Sequence, residues 1–125
     1  MEINDNYILK RISPQLLVTD LERAITFYIQ KLGFEIDFRY EDFYCGIIKD
    51  GHSIHLKWCD VLPLGRTEKR ENEHIDLMFA VDDIEDLYNN LERIGVGITQ
   101  PLRQMPYGKE FYIADPDGYI IAFLN

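Results

Sequence analysis

Apolar positions along this chain follow two different periods. Leu21, Ala24, Ile25, Tyr28 and Leu32 recur three and four apart, as do Ile84, Leu87, Tyr88, Leu91 and Ile94, and this spacing predicts one buried helix face in each half. Elsewhere the period is two. In "HSIHLKWCD" Ile54, Leu56 and Trp58 share one face of an expected strand, and Ser53, His55, Lys57 and Cys59 share the other. In "HIDLMFAV" Ile75, Leu77, Phe79 and Val81 oppose His74, Asp76, Met78 and Ala80. In the last run Ile121 and Phe123 oppose Ile120, Ala122 and Leu124. The apolar sets are expected to pack under the helices, and the mixed sets to form a second, more open surface.

The two halves share one plan. Around Val18 the chain reads "VTDLERAITFYIQKLGF", and around Val81 it reads "VDDIEDLYNNLERIGVG". Val18 and Val81, Asp20 and Asp83, Leu21 and Ile84, and Glu22 and Glu85 are each 63 residues apart, which marks an internal duplication. Each helix starts after an Asp suited to capping, and Gly33 and Gly95 are placed to end them in the left-handed conformation. After the first helix, "FEIDFRYE", "FYCGIIKDG" and "HSIHLKWCD" read as three strands, with Asp50-Gly51 as a hairpin turn. After the second helix, "ITQPLRQMPYG" is poorly defined, and "KEFYIA" and "YIIAFLN" read as strands around the Asp115-Pro-Asp-Gly118 turn. The expectation is an α+β chain of one domain with two strand–helix–three-strand modules, about 13–60 and 74–125. The intervening 61–73, with the charged "LGRTEKREN", serves as linker.

Composition narrows the function. At 125 residues, 46% hydrophobic and 28% charged, the chain can bury a core without cross-links. No apolar run reaches membrane-span length and the polar start lacks a signal-peptide pattern, so a cytoplasmic protein is expected. Cys45 and Cys59, 14 apart, suit neither a disulfide framework nor a zinc knuckle and are expected to be free thiols. A net charge of −9 disfavours nucleic acid and anionic membrane, and suits cationic ligands. No Ser-His-Asp order, Gly-rich phosphate loop or reactive-cysteine signature is present.

The duplicated pattern, with "DLERAITFYIQKLGF" early and "DPDGYIIAFLN" at the end, resembles the vicinal oxygen chelate superfamily, which includes glyoxalase I, extradiol dioxygenases and bleomycin-resistance proteins. The resemblance implies two modules whose strands curl into a half-open cup, usually completed in a homodimer. Superfamily enzymes hold a divalent metal there, with one side chain from the first and last strand of each module. Carried over by motif, those positions are Ser13, His55, Asp76 and Ala122. Alanine contributes no ligand atom and a serine hydroxyl rarely does, so only His55 and Asp76 are credible donors, and a metal-free cup is expected.

The polar residues expected in the cup are then His55, Lys57, His74 and Asp76, with Met78 beside them. His52 and His55, three apart on a strand, point to opposite faces, which leaves His52 a solvated turn residue. His55 is read either as a ligand contact or as a histidine bonded to Asp76 or water. Asp76 is read either as an anchor for a cation or as a salt-bridge partner of Lys57. Phe38, Tyr40, Phe43, Tyr44, Tyr107, Phe111 and Tyr112 supply candidate aromatic walls for a planar, partly cationic ligand. Glu110 is the acid nearest the cup that could replace the missing terminal glutamate.

The leading expectation is a small-molecule-binding protein of the bleomycin-resistance type, which sequesters a cationic or aromatic ligand without chemistry. The alternative is a glyoxalase-type lyase, isomerase or transferase using nickel, zinc or manganese, and a third reading is an interaction module with an empty cup.

Overall fold

The computed structural model describes residues 3–62 and 74–125, so most of the expected linker lies outside the described residues. The first half runs β1 (Gln15–Val18), α1 (Leu21–Thr26), a π-helical turn (Phe27–Lys31), β2 (Glu35–Tyr40), β3 (Tyr44–Lys49) and β4 (His52–Trp58). The second runs β5 (Leu77–Ala80), α2 (Ile84–Arg93), β6 (Ile98–Met105), β7 (Gly108–Ala114) and β8 (Ile120–Leu124). Each half forms one four-stranded mixed sheet, ordered β1-β4-β3-β2 and β5-β8-β7-β6. Among the described strands only the β1–β4 and β5–β8 pairs are parallel. The α+β fold with duplicated modules is as the pattern predicts.

Local chemistry explains the boundaries. Asp20 stands in an extended conformation and its side chain accepts from the Arg23 amide, which caps α1. Gly33 (φ +78°) and Gly95 (φ +84°) end the two helices in the left-handed region, as expected. Asp83 departs from expectation: it lies at φ +49° and makes no side-chain cap, and α2 starts with the Leu87 amide on the Asp83 carbonyl. Glu85 and Asp86 in its first turn supply the negative charge that its N-terminus favours.

Three sequence expectations are corrected. The stretch after α2 is a full eight-residue strand, β6, whose pairing with β7 shifts register twice around Pro101. An outermost strand tolerates such a proline because its missing N–H faces away from the ladder. Trp58 does not pack under a helix; it is 45% exposed at the strand end, donating Nε1–H to the Thr19 carbonyl. Phe111 is not a cup residue: it is fully buried in the core, stacked on Phe123 at 4.8 Å.

One hydrophobic core joins the halves, with Val18, Leu21, Tyr28 and Leu56 from the first and Leu91, Phe111, Ile121 and Phe123 from the second. The Asp115–Tyr119 turn stitches them together. The Tyr28 hydroxyl donates to Asp115 at 2.7 Å, and Thr19 donates both its amide and hydroxyl hydrogens to Asp117. The Leu17 amide donates to the Tyr119 hydroxyl at 2.9 Å, and that hydroxyl donates to the Leu17 carbonyl at 2.7 Å. Both cysteines are free thiols. Among the described residues, no helix is long and apolar enough to cross a membrane.

Candidate functional site

The outer face of the first sheet carries a row of four residues fixed by strand register. Gln15 pairs with His55, His55 with Gly46, and Gly46 with Phe38. Gly46 is required there, because a Cβ at that position would stand 2.2 Å from Phe38 Cε1. The absence of a side chain lets the Phe38 ring lie across the strand and meet His55 edge-on at 5.1 Å between centroids. Tyr44 stacks on Phe38 at 6.1 Å and meets the His55 ring edge-on at 5.5 Å, so the three rings touch one another.

A hydrogen-bond chain runs through this cluster. Gln15 Nε2 donates to the Tyr44 hydroxyl at 3.0 Å, and that hydroxyl lies 2.8 Å from His55 Nδ1. His55 Nε2 is buried and has no hydrogen-bond partner among the described residues. Tyr40 and Phe43, both more than half exposed, stack on each other at 6.4 Å and extend the aromatic wall. Lys57, opposite Tyr44 in the ladder, is exposed.

The second sheet is built differently. Ala122, fully buried, stands between Met78 and Tyr112 in the same row. Glu110 is 2% exposed and fully engaged: Tyr107 donates to one carboxylate oxygen, while Arg103 Nε at 2.8 Å and the Tyr112 hydroxyl at 3.2 Å donate to the other. Burial alone would push the Glu110 carboxyl up, but the bonds from Tyr107, Arg103 and Tyr112 outweigh it and hold the group below its usual range. The same bond to Glu110 pushes the Tyr107 hydroxyl up to about 12. A carboxylate so stabilised in its ionised form is a poor proton acceptor, and both its oxygens are already engaged.

The four carried-over metal positions do not converge. Ser13 bonds to Ser53 at 3.0 Å, Asp76 accepts from the Ile120 amide at 2.9 Å, and Ala122 has no donor atom. Asp76 precedes β5 and His55 lies on β4, with different partners: His55 bonds to Tyr44 and Asp76 accepts from the Ile120 amide. His74 is exposed and precedes β5. Register places Gln15 and Met78, not Ser13 and Asp76, directly beside His55 and Ala122. Among the described residues no three His, Cys, Asp or Glu side chains are grouped to hold an ion. This donor set does not fit a divalent metal.

Of the sequence candidates, the structure brings Phe38, Tyr40, Tyr44 and His55 together on the first sheet. It gathers Met78, Tyr107, Glu110 and Tyr112 on or beside the second. Gln15 escaped sequence reasoning; its signal was the 63-residue offset to Met78 and its place as a lone amide within an apolar strand.

Duplicated modules of this topology, each with one open sheet face, define a class. The chain belongs to the glyoxalase/bleomycin resistance protein/dioxygenase superfamily, whose family model matches residues 8–123. It is 27% identical over 107 residues to a glutathione transferase, FosA, from Serratia marcescens, covering 83% of this chain and 72% of that protein. The bleomycin-binding protein of Streptomyces verticillus, solved with copper(II)-bleomycin, shares the fold with a TM-score of 0.68 at 20% identity, covering 94% of this chain and 97% of that one. TnmS3, an antibiotic-binding protein from Streptomyces sp. CB03234, does so with a TM-score of 0.69 at 22% identity, covering 94% and 95%.

Proposed function

We propose that this protein binds a small planar ligand, aromatic or cationic, on the Phe38–Tyr44–His55 face and sequesters it without chemistry and without a metal. The observation that carries this reading is the buried His55 Nε2, its ring oriented through Nδ1 by Tyr44 and Gln15, and left without a hydrogen-bond partner among the described residues inside an aromatic wall. A buried polar atom costs about 1–3 kcal/mol when unmet, and a complementary polar group on the ligand would recover that. Stacking on Phe38, Tyr40 and Phe43 would supply the rest of the affinity. The names of the bleomycin-binding and antibiotic-binding relatives support the same direction. Homodimerisation belongs to this reading, because Tyr40, Phe43, Met78 and Tyr107 leave large apolar surface open on both sheets.

The test is a titration of the protein with copper(II)-bleomycin and a panel of planar aromatic cations. The expected result is saturable binding that weakens by about tenfold in His55→Ala and in Phe38→Ala, with unchanged circular dichroism. Absence of saturable binding across the panel, or affinities indifferent to both substitutions, would refute the reading. A second reading, a metal-dependent transferase, is favoured only by the likeness to FosA. Near-stoichiometric nickel, zinc or manganese retained through dialysis would support it against the donor-set argument.

A further inference from the structure

The seam between the two halves is closed on one side and open on the other, and the duplication explains why. On the closed side Asp115 holds Tyr28, Asp117 holds Thr19 and Arg23, and Tyr119 bonds Leu17. Their counterparts can be read from the two internal offsets. First strands and helices are related by 63 residues, as Gln15 and Met78 are; last strands and their turns are related by 67, as His55 and Ala122 are. Thr19 and Arg23 therefore correspond to Asp82 and Asp86, and Asp117 and Tyr119 to Asp50 and His52.

The polar contacts of the closed side are thus not reproduced on the other: Tyr28 and Asp115 become Leu91 and Ile48. Thr19 and Arg23 against Asp117 become Asp82 and Asp86 against Asp50, three carboxylates that cannot replace that donor–acceptor set. The buried Tyr119 becomes His52, which is exposed. Without these ties the seam stays open as a cleft of about 900 Å³, between edge strand β5, the β3–β4 turn and residues 9–14.

Chemistry of the lining is two-sided. Phe34, Ile54, Leu77, Phe79 and Phe123 give it an apolar floor, continuous with the core. Lys10, Arg11, Lys31 and Lys49 line it, with Asp50 the one carboxylate among the described lining residues, in a chain whose net charge is −9. Arg11 is held by Asp37, the Lys49 ammonium lies 3.5 Å from Asp50, the Lys31 ammonium donates to the Ile94 carbonyl at 3.1 Å, and Lys10 has no ion pair among the described residues. The Lys49 ammonium lies over Gly33, 3.7 Å from where a Cβ would stand, and so beside the segment that carries Lys31. Gln15, Phe38, Tyr44 and His55 do not line this cleft, so it is separate from the aromatic site.

We propose that the cleft is a second ligand site, for an amphipathic anion of the alkyl-carboxylate class. The alkyl chain lies on Phe34, Phe79 and Phe123, and the carboxylate sits between Lys31 and Lys49. Burying the chain releases apolar surface on both partners from water, and the cations at the mouth select the sign of the head group.

The experiment is calorimetric titration of the intact protein with dodecanoate and with dodecyltrimethylammonium, both below their micellar concentrations. The expected result is saturable binding of dodecanoate and none of the cation. Lys31→Glu with Lys49→Glu weakens dodecanoate by about tenfold or more, and Lys31→Gln with Lys49→Gln gives the same direction if charge reversal impairs folding. Ala80→Trp, at an exposed position lining the cleft, abolishes binding by filling it. Equal binding of both amphiphiles, no binding by the folded wild type, or indifference to the lysine substitutions would overturn the proposal. So would an Ala80→Trp variant that loses self-association in sedimentation yet still binds dodecanoate, since the cleft would then be a contact between copies.

Discussion

Asp115 shows how much a single turn residue can carry. Its carboxylate accepts from the Tyr28 hydroxyl and from the Asp117 and Tyr119 amides, yet it is 5% exposed. Burial pushes its pKa up from 3.8 to about 6; the three hydrogen bonds oppose the rise and the neighbouring Asp117 charge adds to it. A carboxyl that binds its proton more tightly folded than unfolded stabilises the fold below its unfolded pKa, and that contribution is lost as pH rises through the folded value. Wild-type stability in urea should therefore fall between about pH 4.5 and 7 through this group, and Asp115→Asn should flatten that part of the profile. Glu110, held below its usual range, acts with the opposite sign and at lower pH, so it does not mask the effect. Parallel pH profiles for the two proteins would refute the assignment.

At the level of elements, periodicity revealed the helices and the alternation that sets His55 opposite Ile54 and Leu56, and the Asp50-Gly51 pair revealed the hairpin. It failed where tertiary context decides. Pro101 hid β6 because a strand that bulges around a proline has no clean period of two. Phe111 and Tyr112 look alike in sequence, and only the direction of β7 sends one into the core and the other to the open face. Gln15 was missed because the β1–β4 register, which seats it beside His55, is chosen by packing rather than by any local signal. Gly46 is the element-scale test of that packing. Gly46→Ala places a methyl 2.2 Å from Phe38 Cε1 and should cost about 1–3 kcal/mol by overpacking. Shortening the ring in the Gly46→Ala, Phe38→Leu double variant should return much of that loss, a coupling that a double-mutant cycle measures directly. Additive effects would mean that Phe38 does not lie over Gly46.

On the scale of the whole molecule, the duplicated modules are coupled by an edge contact rather than by a continuous sheet. β1 is an edge strand, and Tyr119 from the far module satisfies both the N–H and the C=O of Leu17 there. One phenol thereby takes the place of a neighbouring strand, which also blunts an edge that could pair with another chain. Tyr119→Phe keeps the ring in the core and removes only the hydroxyl, leaving two backbone groups unmet at a cost of about 1–3 kcal/mol. Hydrogen exchange should then show the Leu17 amide losing protection. The Val81 amide, bonded to the Leu124 carbonyl within the second module, should keep its own apart from the change in global stability. Because the shared core still spans both halves, denaturant unfolding should remain one transition with a lower midpoint. Two separated transitions would mean that the Tyr119 hydroxyl, and not the apolar core, is what makes the duplicated halves fold as a unit.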